Sequence, residues 1–106
     1  MSDDRGFYLH PGAAQDITEV WQFIADDNPG AAGNFRNEIL EAIRGLVKFP
    51  RQGHLRPGLT SKPLRFQTVR EYLIAYAPDE KPLVVIAVIH GRRSPRVMAA
   101  TLRARK

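Results

Sequence analysis

Apolar residues recur at helical spacing up to about Pro50 and at strand spacing beyond residue 63. From Ala13 to Asp26, Ile17, Val20, Trp21 and Ile24 stand at i, i+3, i+4 and i+7, one stripe of an α-helix with Trp21 as its expected core anchor. Ahead of it, Gly6 to His10 predicts a short strand, closed by the turn chemistry of Pro11-Gly12. Asn28 suits an N-cap and Pro29 the first helical position, where a missing N–H costs nothing, so a second helix starts near residue 29. Its stripe is Phe35, Ile39, Ala42, Ile43 and Leu46, and Pro50 stops it. So short a junction predicts a helical hairpin.

Arg51 to Pro63 has turn residues and no periodicity, and is expected to be a basic connecting loop. Leu64 to Val69 alternates, Tyr72 to Ala77 is rich in β-formers, and Arg70-Glu71 between them predicts a tight hairpin. After the polar turn from Pro78 to Pro82, Leu83 to Ile89 is apolar without alternation, as expected of a central strand buried on both faces. Ser94-Pro95 offers an N-cap and a helix-initiating proline, followed by a weak stripe of Val97, Thr101 and Leu102. The predicted order is β-α-α-β-β-β-α. This is an α+β fold, a helical hairpin on a small, mainly antiparallel sheet whose last three strands form a meander.

Composition narrows the classes. A chain of 106 residues is one domain, 1–106, and without cysteine it has no disulfide framework, thiolate metal site or thiol nucleophile. The opening MSDDRGFYLH lacks an apolar stretch for a signal peptide, and the run Leu83 to Ile89 is too short to span a bilayer, so a cytoplasmic protein without membrane contact is expected. Charge is unevenly spread. Residues 1–43 carry two arginines and eight acids, whereas residues 44–106 carry fourteen Lys or Arg and three acids. That split predicts a basic face for a polyanion or an acidic protein, with direct nucleic-acid contact left open.

The stretch VVIAVIHGRRS carries the chemistry. A strand entering solvent needs polar residues, which is the bland account of its end. The functional account puts Arg92, Arg93 and Arg96 at a helix start, where guanidinium groups pair with phosphate or carboxylate, and His90 and Arg65 beside them if the strands converge. Metal-free RNA cleavage would need a base, an acid and a phosphate-binding cation. Glu71 is the only carboxylate between residues 44 and 78 and Lys62 stands alone, so binding is the better reading and no catalytic residue is assigned. His10 and His54 read as structural. No metal spacing, phosphate-binding glycine loop or Ser-His-Asp order occurs, and no cofactor is implied. Phe23 and Leu40 fall off the helical stripes and, with the basic Arg56 and Arg70, are candidates for contact with an acidic partner.

The junction WQFIADDNPGAAGNF, the loop LVKFPRQGHLRPGL and the strand end VIAVIHGRRSP together resemble the RelE/ParE superfamily of bacterial toxins, specifically its ParE side, over roughly residues 7 to 96. The resemblance implies the toxin of a type II toxin–antitoxin module, encoded for plasmid stabilisation. It further implies DNA gyrase as the target, and a hetero-oligomer with an acidic, ParD-like antitoxin. On this resemblance Phe23, Leu40, Arg56 and Arg70 are expected to contact the antitoxin, and His90, Arg92, Arg93, Arg96 and Arg65 the target. The alternatives within the superfamily are a ribosome-dependent mRNA endonuclease of RelE type, or an inactive member that only binds antitoxin. Two positions before Ile89, where the family usually has an arginine, this chain has Ala87.

Overall fold

The computed structural model describes residues 6–105, so the acidic opening with Asp3 and Asp4, and Lys106, lie outside the described residues. The elements are β1 (Phe7–Leu9), α1 (Pro11–Asp27), α2 (Pro29–Lys48), β2 (Arg65–Val69), β3 (Tyr72–Ala77), β4 (Leu83–His90) and α3 (Pro95–Ala104), in the expected order. The caps explain the helix starts. Asn28 accepts from the Ala31 N–H at 3.1 Å and Ser94 from the Val97 N–H at 3.2 Å, each ahead of a proline at the first helical position. Helix α1 begins two residues earlier than expected. The ring of His10 does the work of a capping carboxamide, its Nδ1 accepting from the Gly12 N–H at 2.9 Å, which turns Pro11-Gly12 into a first helical turn.

The four strands form one sheet in the order β1-β4-β3-β2, with β1 parallel to β4 and the other pairs antiparallel. The expected central strand is indeed interior. The hairpin closes on the Val69–Tyr72 pair through a two-residue turn in which Arg70 adopts φ 53°, a left-handed conformation that favours glycine.

Two cores sit on the two sheet faces. The hairpin α1–α2 covers one, where Ile39, Ile43, Leu46 and Phe7 are sealed against Ile74, Tyr76 and Val85. Helix α3 covers the other with Met98 and Leu102 against Phe66, Leu73, Ala87 and Ile89. Strand β4 serves both because it carries a β-bulge. Ala75 pairs with Ala87 but Tyr76 pairs with Val85, so Ile86 is an extra residue and the side-chain alternation reverses there. Leu83, Val85 and Val88 therefore reach the hairpin core, while Ala87 and Ile89 reach the α3 core.

Two expectations need correction. Trp21 is 39% exposed rather than a core anchor, because the line of close approach on α1 runs through Ala13 and Ile17, its two buried residues, leaving the indole at its margin. Leu40 is only 9% exposed and belongs to the hairpin core, since α2 packs closely enough on the sheet to bury it beside Ile39 and Ile43. Its burial leaves no free surface for a partner. Among the described residues, no helix is long and apolar enough to cross a membrane.

Candidate functional site

Strand β4 ends at His90, and the main chain then turns sharply into α3. The turn is held by main-chain and imidazole contacts. The Arg93 N–H donates to His90 O at 3.0 Å, the Gly91 N–H to Glu71 O at 2.7 Å, and the Arg92 N–H to His90 Nδ1 at 3.0 Å. A Cβ on Gly91 would sit 3.2 Å from that same Glu71 oxygen, which accounts for glycine at this position.

These contacts fix the chemistry of the histidine. A backbone N–H can only donate, so Nδ1 holds its lone pair toward Arg92 and the neutral ring carries its proton on Nε2. Nε2 lies 3.2 Å from Glu71 Oε2, and Tyr72 meets the ring edge-to-face at 5.2 Å between centroids. Phe35 in turn stacks edge-on against Tyr72 at 5.0 Å, tying the site to α2. Burial, then the neighbouring Glu71 charge, pushes the Tyr72 phenol above its ordinary pKa, and its ring packs between Phe35 and His90.

Around this pivot lie two concavities. One, of about 320 Å3, is lined by Arg56, Thr68, Arg70, Glu71, His90 and Arg92. Arg92 and His90, expected to face a target, therefore share a cavity with Arg56 and Arg70, expected to face an antitoxin. The second is a groove of about 470 Å3 between α1 and α3, where Arg93 faces Phe23 and Val97. Consecutive arginines thus serve different hollows. Phe23 is 80% exposed, a large unpaired apolar surface at the groove wall.

The arginines differ in their freedom. Arg70 forms an ion pair with Glu38 that raises its pKa further, whereas Arg56, Arg92, Arg93 and Arg96 make no side-chain hydrogen bond or ion pair among the described residues. The start of α3 offers little main-chain attraction by itself. Pro95 has no N–H and Ser94 takes the Val97 N–H, so at this turn the unpaired guanidinium groups, more than the helix terminus, are the donors free to pair with an anion. Arg96 lies exposed on the first turn of α3.

Arg65 lies elsewhere, against expectation. It pairs in register with Tyr76, at the opposite end of β3 from Tyr72 and His90, with β3 between its strand and β4. Its Nη1 donates to Gly53 O at 2.7 Å and Arg51 O at 3.4 Å, pinning the connecting loop. His54 is placed there too, its main chain bridged to Phe66, and Tyr76 completes the anchor by donating to Pro50 O at 2.6 Å and accepting from the Gly53 N–H at 2.9 Å.

Two features of the site leave little trace in the sequence. Glu71 is the histidine's partner, hinted at only by its being an isolated carboxylate in a basic region. Asp16 and Arg105 join α1 to the end of α3, and nothing in local spacing foretells a contact over 89 residues. Among the described residues no group of His, Asp and Glu is arranged to hold a metal ion.

No curated protein matches the chain. A family model described as the ParE toxin of type II toxin–antitoxin system, parDE, matches residues 7–95. With that match over most of its length, on a β-α-α-β-β-β-α fold, the chain belongs to the ParE toxin family of type II toxin–antitoxin systems.

Proposed function

We propose that this toxin acts by binding, with DNA gyrase as its target, and that an acidic, ParD-like antitoxin neutralises it in the cytoplasm. The observation that carries the binding reading is the state of His90. Both its nitrogens are committed, Nδ1 to the Arg92 N–H and Nε2 to Glu71, while Arg56 and Arg92 beside it are unpaired. A general base needs a free lone pair within reach of the proton it takes. Here the imidazole organises the turn that presents the guanidinium groups, and those groups suit carboxylates or phosphates on a partner. The net charge of +5, gathered in residues 44–106, extends that attraction beyond the cavity and favours fast encounter with acidic surfaces.

The same charge fits an acidic antitoxin segment that orders on binding. Its proposed contacts are Arg56 and Arg70 in the cavity beside His90 and Phe23 in the groove between α1 and α3. The test is expression with and without the adjacent open reading frame, with plasmid supercoiling and transcript integrity followed together. Relaxed plasmid with intact transcripts, reversed by the neighbouring gene, supports the proposal. Cleaved transcripts with normal supercoiling would replace it by endonuclease activity, and the absence of any growth effect by a role in antitoxin binding alone.

A further inference from the structure

Strand β1 pairs with β4 only at Leu83, Val84 and Val85, and the last bond on that side runs from the His10 N–H to Val85 O. Beyond it the β1 side of β4 is not covered by a strand. Four main-chain groups from Ile86 O to the His90 N–H face that way, and His90 O, already taken by the Arg93 N–H, is a fifth. Ile86 O accepts from Arg105 Nη1 at 3.1 Å and the Val88 N–H donates to Asp16 Oδ2 at 2.9 Å, so side chains close these two. Val88 O points the same way as the Val88 N–H, and the His90 N–H, two residues on, does so as well. Neither has a partner among the described residues, and both open into the groove between α1 and α3.

We infer that this groove seats an extended segment of a partner protein, added to the sheet as a strand parallel to β4. The inference rests on the reading that a partner protein neutralises the toxin, and it specifies the form of the docking segment. Direction follows from which groups are free. One residue of a parallel strand donates to the oxygen before its opposite number and accepts from the N–H after it. Val88 O and the His90 N–H are such a pair about Ile89. An antiparallel neighbour would need both groups of Val88 or both of His90. Asp16 holds the Val88 N–H and the Arg93 N–H holds His90 O, so neither set is available.

The walls define the side chains. The residue opposite Ile89 points, like Ile89, to the α3 side, against Val97 and Thr101. Its two neighbours point to the α1 side, against Val20 and Phe23. Running parallel to β4, the segment ends at the His90 end, where the unpaired Arg93 awaits a carboxylate, from either a terminal carboxyl group or an acidic side chain. The occupant is therefore a short strand, apolar on both faces and acidic at its C-terminal end.

The test uses the full chain against a library of random peptides displayed with free C-termini, followed by synthesis of the strongest binder. The expected binder has three apolar residues in succession and a carboxylate at its end. It slows exchange of the His90 amide at least tenfold, and loses at least tenfold in affinity against Arg93→Glu or Phe23→Ser. N-methylation of the peptide residue opposite Ile89 removes the bond to Val88 O and abolishes binding, and amidation of its C-terminus separates a terminal carboxyl group from a side-chain one. Failure to select any peptide, a binder that leaves His90 exchange unchanged, or antiparallel contacts in its nuclear Overhauser spectrum would overturn the inference. Gyrase inhibition is measured on the same preparation. Inhibition without peptide capture removes the strand slot alone, and peptide capture without inhibition removes the gyrase target alone.

Discussion

Arg105 and Asp16 form a two-pronged ion pair, Nη1 to Oδ2 at 2.5 Å and Nη2 to Oδ1 at 2.9 Å, that also closes the edge of β4 by reaching Ile86 O and the Val88 N–H. The pair is nearly enclosed, at 18% and 16% side-chain exposure, and Asp16 raises the pKa of the guanidinium by hydrogen bonding. Lys62 secures the same end of the chain by donating to Leu102 O and Arg105 O, each at 3.2 Å. One clasp therefore holds α3, and with it the arginine turn, against α1.

Removing one partner strands a charge. Arg105→Ala is expected to cost about 2–4 kcal/mol in urea denaturation, because Asp16 stays nearly enclosed without its cation. Gly12→Ala should act on the same contact, since a Cβ there would overlap the Arg105 guanidinium. The two losses are expected to be non-additive in a double-mutant cycle. Additive effects would show that Gly12 matters for another reason.

His90 offers a sharp comparison. Asparagine can accept an i+2 N–H as this imidazole does, in the manner of an Asx turn, whereas alanine cannot. His90→Asn should retain growth arrest to within a few-fold, and His90→Ala should lose most of it while circular dichroism is unchanged. Equal loss in both would indicate proton transfer by the ring.

Phe23 and Leu40 should part company. Leu40→Ala is expected to lose about 2–4 kcal/mol of stability as a core truncation. Phe23→Ser should change stability by less than about 0.5 kcal/mol, as at an exposed site, yet weaken neutralisation by the antitoxin. Calorimetry and co-expression rescue read the two effects separately.

Alkaline pH tests the loop anchor. Burial raises the Tyr76 phenol above its ordinary pKa, as it does that of Tyr72. A folded pKa above the unfolded one means the stabilisation is fully present below pH about 10 and is lost as pH rises through the folded value. Wild-type stability should thus fall above pH about 10. Tyr76→Phe should be about 1–2 kcal/mol less stable at neutral pH, lacking its bonds to Pro50 and Gly53, but decline less steeply in the alkaline range.

Local signals made the elements legible. Asn28-Pro29 and Ser94-Pro95 mark helix starts because capping is decided within four residues, and the unbroken run from Leu83 marks an interior strand because both its faces are covered. What lay beyond the sequence depends on the third dimension. The bulge at Ile86 leaves no trace in composition, and Arg65 belongs to the far end of the sheet because β3 intervenes. Trp21 fits the helical period as well as Ile17 does, and only packing on β4 and β1 separates them. The site itself was half legible. Its arginines stood out as a basic cluster on a strand end, whereas the partition of Arg92 and Arg93 between two hollows follows from the turn that His90 fixes.

The most direct test of the account is a gyrase supercoiling assay with purified toxin, run beside a translation reaction in which transcript length is monitored. Wild-type toxin is expected to block supercoiling, replacement of Arg92 and Arg93 with alanine to weaken the block at least tenfold with the fold intact, and transcripts to stay whole. Cleaved transcripts with supercoiling untouched, or full inhibition by the double variant, would contradict it.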